Sequence, residues 1–560
     1  MPSWFAALKG AGLSIIALSL ITLRFRPEFI RNGTPLYILF FIFSLHLSLL
    51  SFYFLVIYPF LLSPIRHLKG PKVTFTFHPR TLLQLGGEPG RPVLDLMDKY
   101  PDDDILLVDI LRDQLVITKP NLLSDLFVHR PYDFIKPLGP ASFLKEFLGV
   151  GLVTAEGEQH KFLRRNSLPA FGFRHIKDLY PMMWRKSSIF TDMLLSEANA
   201  DGNDCNGDKI VDISIASSKV TLDIIGVAGL GREFGTIHNA EDPLAQAYEQ
   251  LLKPSLERAI YFLMCSLFGT PFVKRLPWGI NQVMQRLKGS IMSTCATMLR
   301  EKRDSIKKNE GNHIDILSLL IKSENFSDSE LTDQLMTFLA AGHETTSSSL
   351  SWACYLLSEH QDILCAVREE VKRELVLDAS GVPSVNIAST LERLPYLNGV
   401  INETLRLYPT VPLTERSAVR DTQIGQHRVP KGANIIVSIW AMNRSPLIWG
   451  PNSTEFRPDR WITNDKPNHT GGASSNYQFL TFLHGPRSCI GQGFARAEMR
   501  CLLAAMVSSC TWELAMPNND VVPGGTITIK PAKGLFLRVK PLQGPQRSPV
   551  QDTFSISVRS

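Results

Sequence analysis

The chain has 560 residues, 44% of them hydrophobic and 20% charged, with 37 glycines and 36 prolines. That is enough apolar material for a large buried core, and it excludes disordered, collagen-like and small disulfide-held proteins. The formal net charge is only +6, from 59 basic against 53 acidic residues, so no concentrated basic field points to a nucleic-acid partner. Eight cysteines with no CxxC pair fit a reducing compartment.

Residues 1–70 read as a membrane anchor. The first apolar stretch, Gly10 to Leu23, is too short for a secure span and suits a signal-like segment, an interfacial helix or one arm of a hairpin. The second, Leu36 to Leu62, carries His46 as its one chargeable residue and is the main span. At 1.5 Å per residue it exceeds the roughly 30 Å hydrocarbon core, so it is expected to tilt or to break near Pro59. Arg24, Arg26 and Arg31 before it balance Arg66, Lys69 and Lys72 after it, so basic residues do not decide its orientation. Sequons occur at Asn325, Asn402, Asn443, Asn452 and Asn468, and Asn402 falls inside the helical LNGVINETLRLYP, where a glycan has no room. The expectation is a cytosolic domain on the endoplasmic reticulum membrane, held close to it by a stiff collar at Pro64, Gly70 and Pro71.

Beyond the collar, DILLVDILRDQLVITKP gives two short strand-like runs around a charged turn. A long helical region follows from about 155 to 410, then short strands as in HRVPKGANIIVSIW, an irregular stretch, and a helix from about 491 to 510. The fold class is mostly α with a minor β portion, one domain over 71–542, and a disordered tail over 543–560.

Three segments carry chemistry. In Phe482-Leu-His-Gly485-Pro-Arg487-Ser-Cys489-Ile-Gly491, glycines let the backbone bend around a single thiol. That thiol stands just before a helix N-terminus, which favours thiolate and suits one strong metal bond. A bare cysteine of this kind is more often an inert buried thiol. In LMTFLAAGHETTSSSLSWACYLL, Gly342 and the hydroxyl residues are poor helix formers, which suggests a functional kink; an ordinary packing kink is the plain alternative. Phe338, Ala341, Thr345 and Ser349 share one helical face there. His343 has no second histidine at helical spacing, so a structural or surface role is expected. In NETLRLYP, Glu403 and Arg406 stand at i, i+3, the spacing of a simple helix-surface pair.

Together, Phe482, Gly485, Arg487, Cys489 and Gly491 reproduce the FxxGxRxCxG haem-binding signature, and the chain resembles the cytochrome P450 family from about residue 70 almost to its end. The resemblance implies a P450 fold and haem as cofactor, with Cys489 as the axial thiolate on iron, Phe482 beside the sulfur and Arg487 paired with a propionate. It implies that AGHETT is the oxygen-activation motif, in which Glu344 and Thr345 deliver protons. It makes Glu403, Arg406 and Arg460 of FRPDRW a buried triad serving folding and haem retention. In GLVTAEGEQHKFLRRNSLPAF, Arg164 matches the arginine of the family's WxxxR, while His160 stands where tryptophan is usual, which puts that role in doubt. Arg416 matches a further propionate-binding position. Lys161, Arg165, Arg496 and Arg500 offer a basic patch for an acidic electron donor, with a solvated helix face as the equal alternative.

The implied function is monooxygenation of a lipophilic small molecule, with the texture of fungal microsomal members that serve secondary metabolism. Electrons would come from NADPH through a separate NADPH–cytochrome P450 reductase, and the substrate would lie between Phe338 to Thr345 and the Tyr132 to Val153 loop region. Two rivals stand beside it: a P450-fold isomerase or dehydratase without O2 activation, and a non-catalytic haem-binding membrane protein.

Overall fold

The computed structural model of the chain describes residues 35–72, 87–109, 113–196, 209–238, 242–252, 256–308, 314–378, 383, 386–525 and 527–542. The apolar stretch at 10–23 and the tail at 543–560 lie outside the described residues. The chain divides into two compact units: residues 1–78, 99–135 and 415–437, and residues 79–98, 136–414 and 438–560.

In the first unit, helix α1 (Pro35–Phe52) continues as a π-helix over Tyr53–Leu62, so the expected break is a change of winding that brackets Pro59. Phe41, Leu49, Phe52, Phe60, Leu61 and Leu62 are exposed along it. The expected collar is more than stiff. Leu107 donates its N–H to the Lys69 carbonyl at 2.8 Å and Lys72 to that of Leu107 at 3.2 Å, stitching the collar to a strand edge. Gly70 sits at φ +133°, and a Cβ there would overlap the Leu107 carbonyl. Tyr58 Oη donates to Asp113 Oδ2 at 2.8 Å, tying the π-helix to the same hairpin. The unit's sheet runs in the order Ile105–Asp109, Gln114–Ile117, Asn434–Ser438, Leu413–Ala418, Phe134–Ile135. Gln114–Ile117 pairs antiparallel with the first strand and parallel with residues 434–437. The first two strands are buried at every position, as a sheet covered on both faces must be.

The second unit is helical. Its main elements are α2 (Gly157–Ser167), α3 (Phe173–Ser196), α4 (Ile213–Ile225), α5 (Asp328–Glu359), α6 (Pro395–Leu407) and α7 (Gln492–Ser509). The 32-residue α5 starts on a Ser327–Glu330 capping box and is buried along most of its length. The first two N–H groups after Pro395 in α6 donate to the Glu370 carboxylate at 2.8 Å each, so a neighbouring helix supplies the cap that its own sequence lacks. Trp352 of α5 stacks on Tyr408 at 4.1 Å. The apolar run Ile213–Leu230 is long enough to cross a membrane, but most of it is buried against α5 and the rest of the core, so it reads as a core helix. A three-stranded sheet, Cys510–Leu514 with Phe536–Pro541 and Lys209–Asp212, closes the unit. The architecture is mostly α with minor β, as the sequence leads one to expect.

Candidate active site

The cysteine loop is built by its own backbone. The Cys489 N–H donates to the Phe482 carbonyl at 2.9 Å, and positive φ at Leu483 (+55°) and Gly485 (+74°) turns the chain between them. A side chain at Gly491 would place its Cβ 4.0 Å from Cys489 Sγ, so the glycine keeps that side of the sulfur open. The N–H groups of Gly491 and Gln492, at the start of α7, and the charge of Arg164 all pull the thiol toward ionisation, yet burial outweighs them and pushes its pKa up. The helix end therefore does not by itself make the thiolate expected from sequence. Cys489 is nevertheless exposed to solvent although many atoms of the chain surround it.

Around the loop gather residues suited to carboxylates. Arg164 Nη1 donates to the Ser488 carbonyl at 2.6 Å, next to the cysteine. Arg487, almost wholly buried, lies 2.5 Å from Glu156 Oε2, and Lys136 lies 3.7 Å from the same carboxylate. His160 sits among them, and burial with the nearby Arg487 and Lys136 charges lowers its pKa to about 4. The question raised by its replacement of tryptophan is thus partly answered: His160 is a neutral, buried ring near neutral pH. Arg416 belongs to the first unit, where it is buried in Leu413–Ala418 over the Phe127 ring.

Glu403 and Arg406 do not form a surface pair. Both are wholly buried, and Arg406 meets the carboxylate through Nε and Nη2 at 2.8 and 2.7 Å. Arg460 Nε adds a bond at 2.9 Å, and Trp461 Nε1 another at 2.9 Å. The remaining Arg406 donor reaches the carbonyls of Asn443 and Ser453 at 2.6 Å each. Asn443 then donates to the Arg406 carbonyl and to Thr481 Oγ1, both at 3.0 Å, joining the triad to the residue before Phe482. Asn402 and Asn443 are buried, so neither sequon can take a glycan in the folded chain.

On α5, the segment Ala341–Thr346 is helical throughout, so the helix is not broken there. Gly342 has another reason to be there, since a Cβ would come within 3.0 Å of Ile225 on α4. Thr345 and Thr346 return their hydroxyls to the carbonyls of Ala341 and Gly342 at 2.6 and 3.0 Å. Of the four residues on the predicted face, Phe338 and Ser349 are buried, whereas Ala341 is exposed and Thr345 half-exposed in mid-core, so the opening spans one turn. His343 is buried rather than on the surface, with Nε2 2.8 Å from Ser218 Oγ. Glu344, next to Thr345 in the chain, lies 3.1 Å from Lys530.

A family model described as Cytochrome P450 matches residues 77–537. The chain belongs to the cytochrome P450 family. Its relatives include the cytochrome P450 monooxygenase sphH of Aspergillus fumigatus, 39% identical over 88% of this chain and 91% of that protein. The monooxygenase ALT8 of Alternaria alternata is 35% identical, covering 87% and 92%. The monooxygenase buaD of Petromyces alliaceus is 35% identical, covering 77% and 81%. This P450 is therefore a monooxygenase of fungal type in a haem enzyme family.

Two expectations about the P450's surroundings need correction. The basic patch is not one surface: Arg500 is spent inside, donating to Asn398 at 2.7 Å and Tyr180 at 3.0 Å, and Arg496 lies over the Phe482 ring with its pKa pushed down to about 10 by burial. Lys161 pairs with Glu158, and Arg165 alone of the four stays exposed without a described partner. The Tyr132 to Val153 region is not a loop either, since Leu138–Leu148 is a helix. Glu156, Asn443, Glu498 and Lys530 were not foreseen. Glu498 had a local signal, a charge on the apolar side of α7, where it is wholly buried and its pKa is raised well above the usual range.

Proposed function

We propose that this P450 is a membrane-anchored haem-thiolate monooxygenase acting on a lipophilic small molecule, with Cys489 as the axial ligand. The observation that carries the reading is the thiol of Cys489, surrounded by the chain yet solvent-accessible, held by a loop whose glycine keeps one side of the sulfur clear. Ala341 and Thr345 open onto the same chamber in this reading. Bound there, haem would activate O2, and the stoichiometry is substrate, O2, two electrons from NADPH and two protons giving hydroxylated product and water.

The chain's own residues then have distinct tasks. Arg487 and Arg164, with His160 as neutral donor, would hold the propionates; Phe482 and the glycines Gly485 and Gly491 would shape the thiolate's pocket. Glu403, Arg406 and Arg460 would fix the floor. Glu344 would take protons from water and pass them toward the Thr345 hydroxyl. The haem domain spans 71–542. The exposed apolar helix over 35–62 supports anchoring in the endoplasmic reticulum membrane with the domain in the cytosol, where a separate NADPH–cytochrome P450 reductase supplies electrons. The family texture supports a place in fungal secondary metabolism.

The test is the difference spectrum of the reduced, carbon-monoxide-treated protein. The wild type should give the thiolate-ligated Soret band and Cys489→Ala should lack it. A wild-type protein purified without haem from cells rich in iron and tetrapyrrole would reject the reading.

A further inference from the structure

Glu344, Ser348 and Trp352 stand at i, i+4 and i+8 and so line one edge of α5. All three meet a single short segment near the chain's end. Ser348 Oγ donates to the Ile529 carbonyl, and Trp352 Nε1 reaches the same oxygen at 3.4 Å. Lys530 Nζ lies 3.1 Å from Glu344 Oε1, and Thr528 Oγ1 donates to that oxygen at 3.4 Å. Ile529 N–H is held in turn by the Thr410 carbonyl at 2.8 Å. The segment is the return arm of a hairpin, Pro523–Gly524 against Lys530–Pro531, whose turn uses Gly525 at φ +138°; a Cβ there would collide with the Thr528 carbonyl.

We propose that Lys530 is a positioning residue for proton delivery: it holds the Glu344 carboxylate in one rotamer, ionised, beside Thr345. The proposal rests on the monooxygenase reading above, in which Glu344 relays protons. Glu344 is 7% exposed at its side chain, so its charge needs a cation, and Lys530 is the charged group facing it. The hydroxyl that donates to it, Thr528 of the hairpin, is neutral, and burial lowers the pKa of His343, the residue before it. Each proton that Glu344 passes on is replaced by one from water, and the carboxylate returns to the ion pair.

The experiment uses the full chain, loaded with haem and reconstituted in lipid nanodiscs with the reductase, as wild type, Lys530→Arg, Lys530→Met and Lys530→Met/Glu344→Gln. Without its cation the buried carboxylate takes up a proton, so Lys530→Met should add a protonated-carboxyl infrared band to the one that buried Glu498 contributes. The added band should be missing in wild type, Lys530→Arg and the double variant. NADPH oxidation should slow several-fold in Lys530→Met, more so in deuterium oxide, and recover in Lys530→Arg. No added band, or an oxidation rate equal to wild type, overturns the proposal. If Lys530→Met does not fold, Lys530→Gln, which keeps a hydrogen-bond donor without the charge, carries the same readings. Absence of haem from the wild type would sink the monooxygenase reading, while the infrared band would still decide whether Lys530 sets the charge of Glu344.

Discussion

Glu403 on α6 and Glu498 on α7 are the same residue type, both wholly buried on helices that pack together, yet the fold treats them in opposite ways. Glu403 receives two guanidiniums and an indole. Glu498 has no cation among the described residues, and burial raises its pKa well above the usual range, so it keeps its proton. The ion-paired acid organises its surroundings: through Arg406, Asn443 and Thr481 it fixes the backbone just before the cysteine loop. The neutral acid imposes no such order beside α5, and what positions α5 there is close packing, as Gly342 against Ile225 shows. One side of the proposed haem pocket is thus set by ionic geometry and the other by shape.

The largest effect should come from breaking the ionic side. Arg406→Leu leaves Glu403 buried with less than its full set of cations, and the expected loss is about 3–5 kcal/mol of stability. Urea unfolding of the variant against wild type measures it, and haem content should fall in parallel. A loss below about 1 kcal/mol would mean that Glu403 behaves like a surface carboxylate, which would remove the contrast with Glu498.

How much of this was legible in the sequence depends on how local each device is. The cysteine loop could be read because Phe482, Gly485, Arg487, Cys489 and Gly491 act within ten residues, and the Glu403–Arg406 pair because both sit on one helical turn. Its burial and its third member, Arg460, came from the family resemblance and not from spacing, because the groups that enclose the pair, Asn443, Ser453, Arg460 and Trp461, arrive from 37 to 58 residues further on. Lys530 meets Glu344 from 186 positions away, and no spacing rule reaches that far. Gly342 is ambiguous for a different reason: a glycine in a helix signals a kink, a close neighbour or both, and the sequence does not show that Ile225 stands 3.0 Å from where its Cβ would be. Arg496 and Arg500 misled because a basic helix face reads the same whether it meets water or, as here, Phe482, Tyr180 and Asn398.

If shape rather than charge holds α5, adding volume at its contact with α4 should cost stability. Gly342→Val pushes two methyl groups into Ile225, already 3.0 Å from the position of a Cβ, and the expected cost is about 2 kcal/mol. Ile225→Val in the same chain removes one methylene from the other side of the contact and should recover part of that loss. Measured as a double-mutant cycle, the two substitutions should couple. Strict additivity would mean that the helices can move apart freely, and the packing account of α5 would fail.

The neutral acid gives the smallest and most specific signal, because it appears as a pH dependence. Thr346 spends its one hydroxyl proton on the Gly342 carbonyl, and whatever it offers the Glu498 carboxylate is outweighed by burial, which holds that pKa up. In the unfolded chain Glu498 ionises near its ordinary value of 4.5, whereas in the folded chain it holds its proton well above that. Between those two values the folded state binds more protons than the unfolded state, so wild-type stability should fall as pH rises, by up to about 1.4 kcal/mol per unit. Below about 4.5 both states are protonated, the pH dependence disappears and stability stays at its upper level. Glutamine has nearly the same shape and does not titrate. Glu498→Gln should therefore match wild type near pH 4 and gain on it steadily as pH rises, in denaturant midpoints taken across that range. A difference that stays constant with pH would show that Glu498 titrates alike in both states, as a carboxyl with an ionic partner or open to water would.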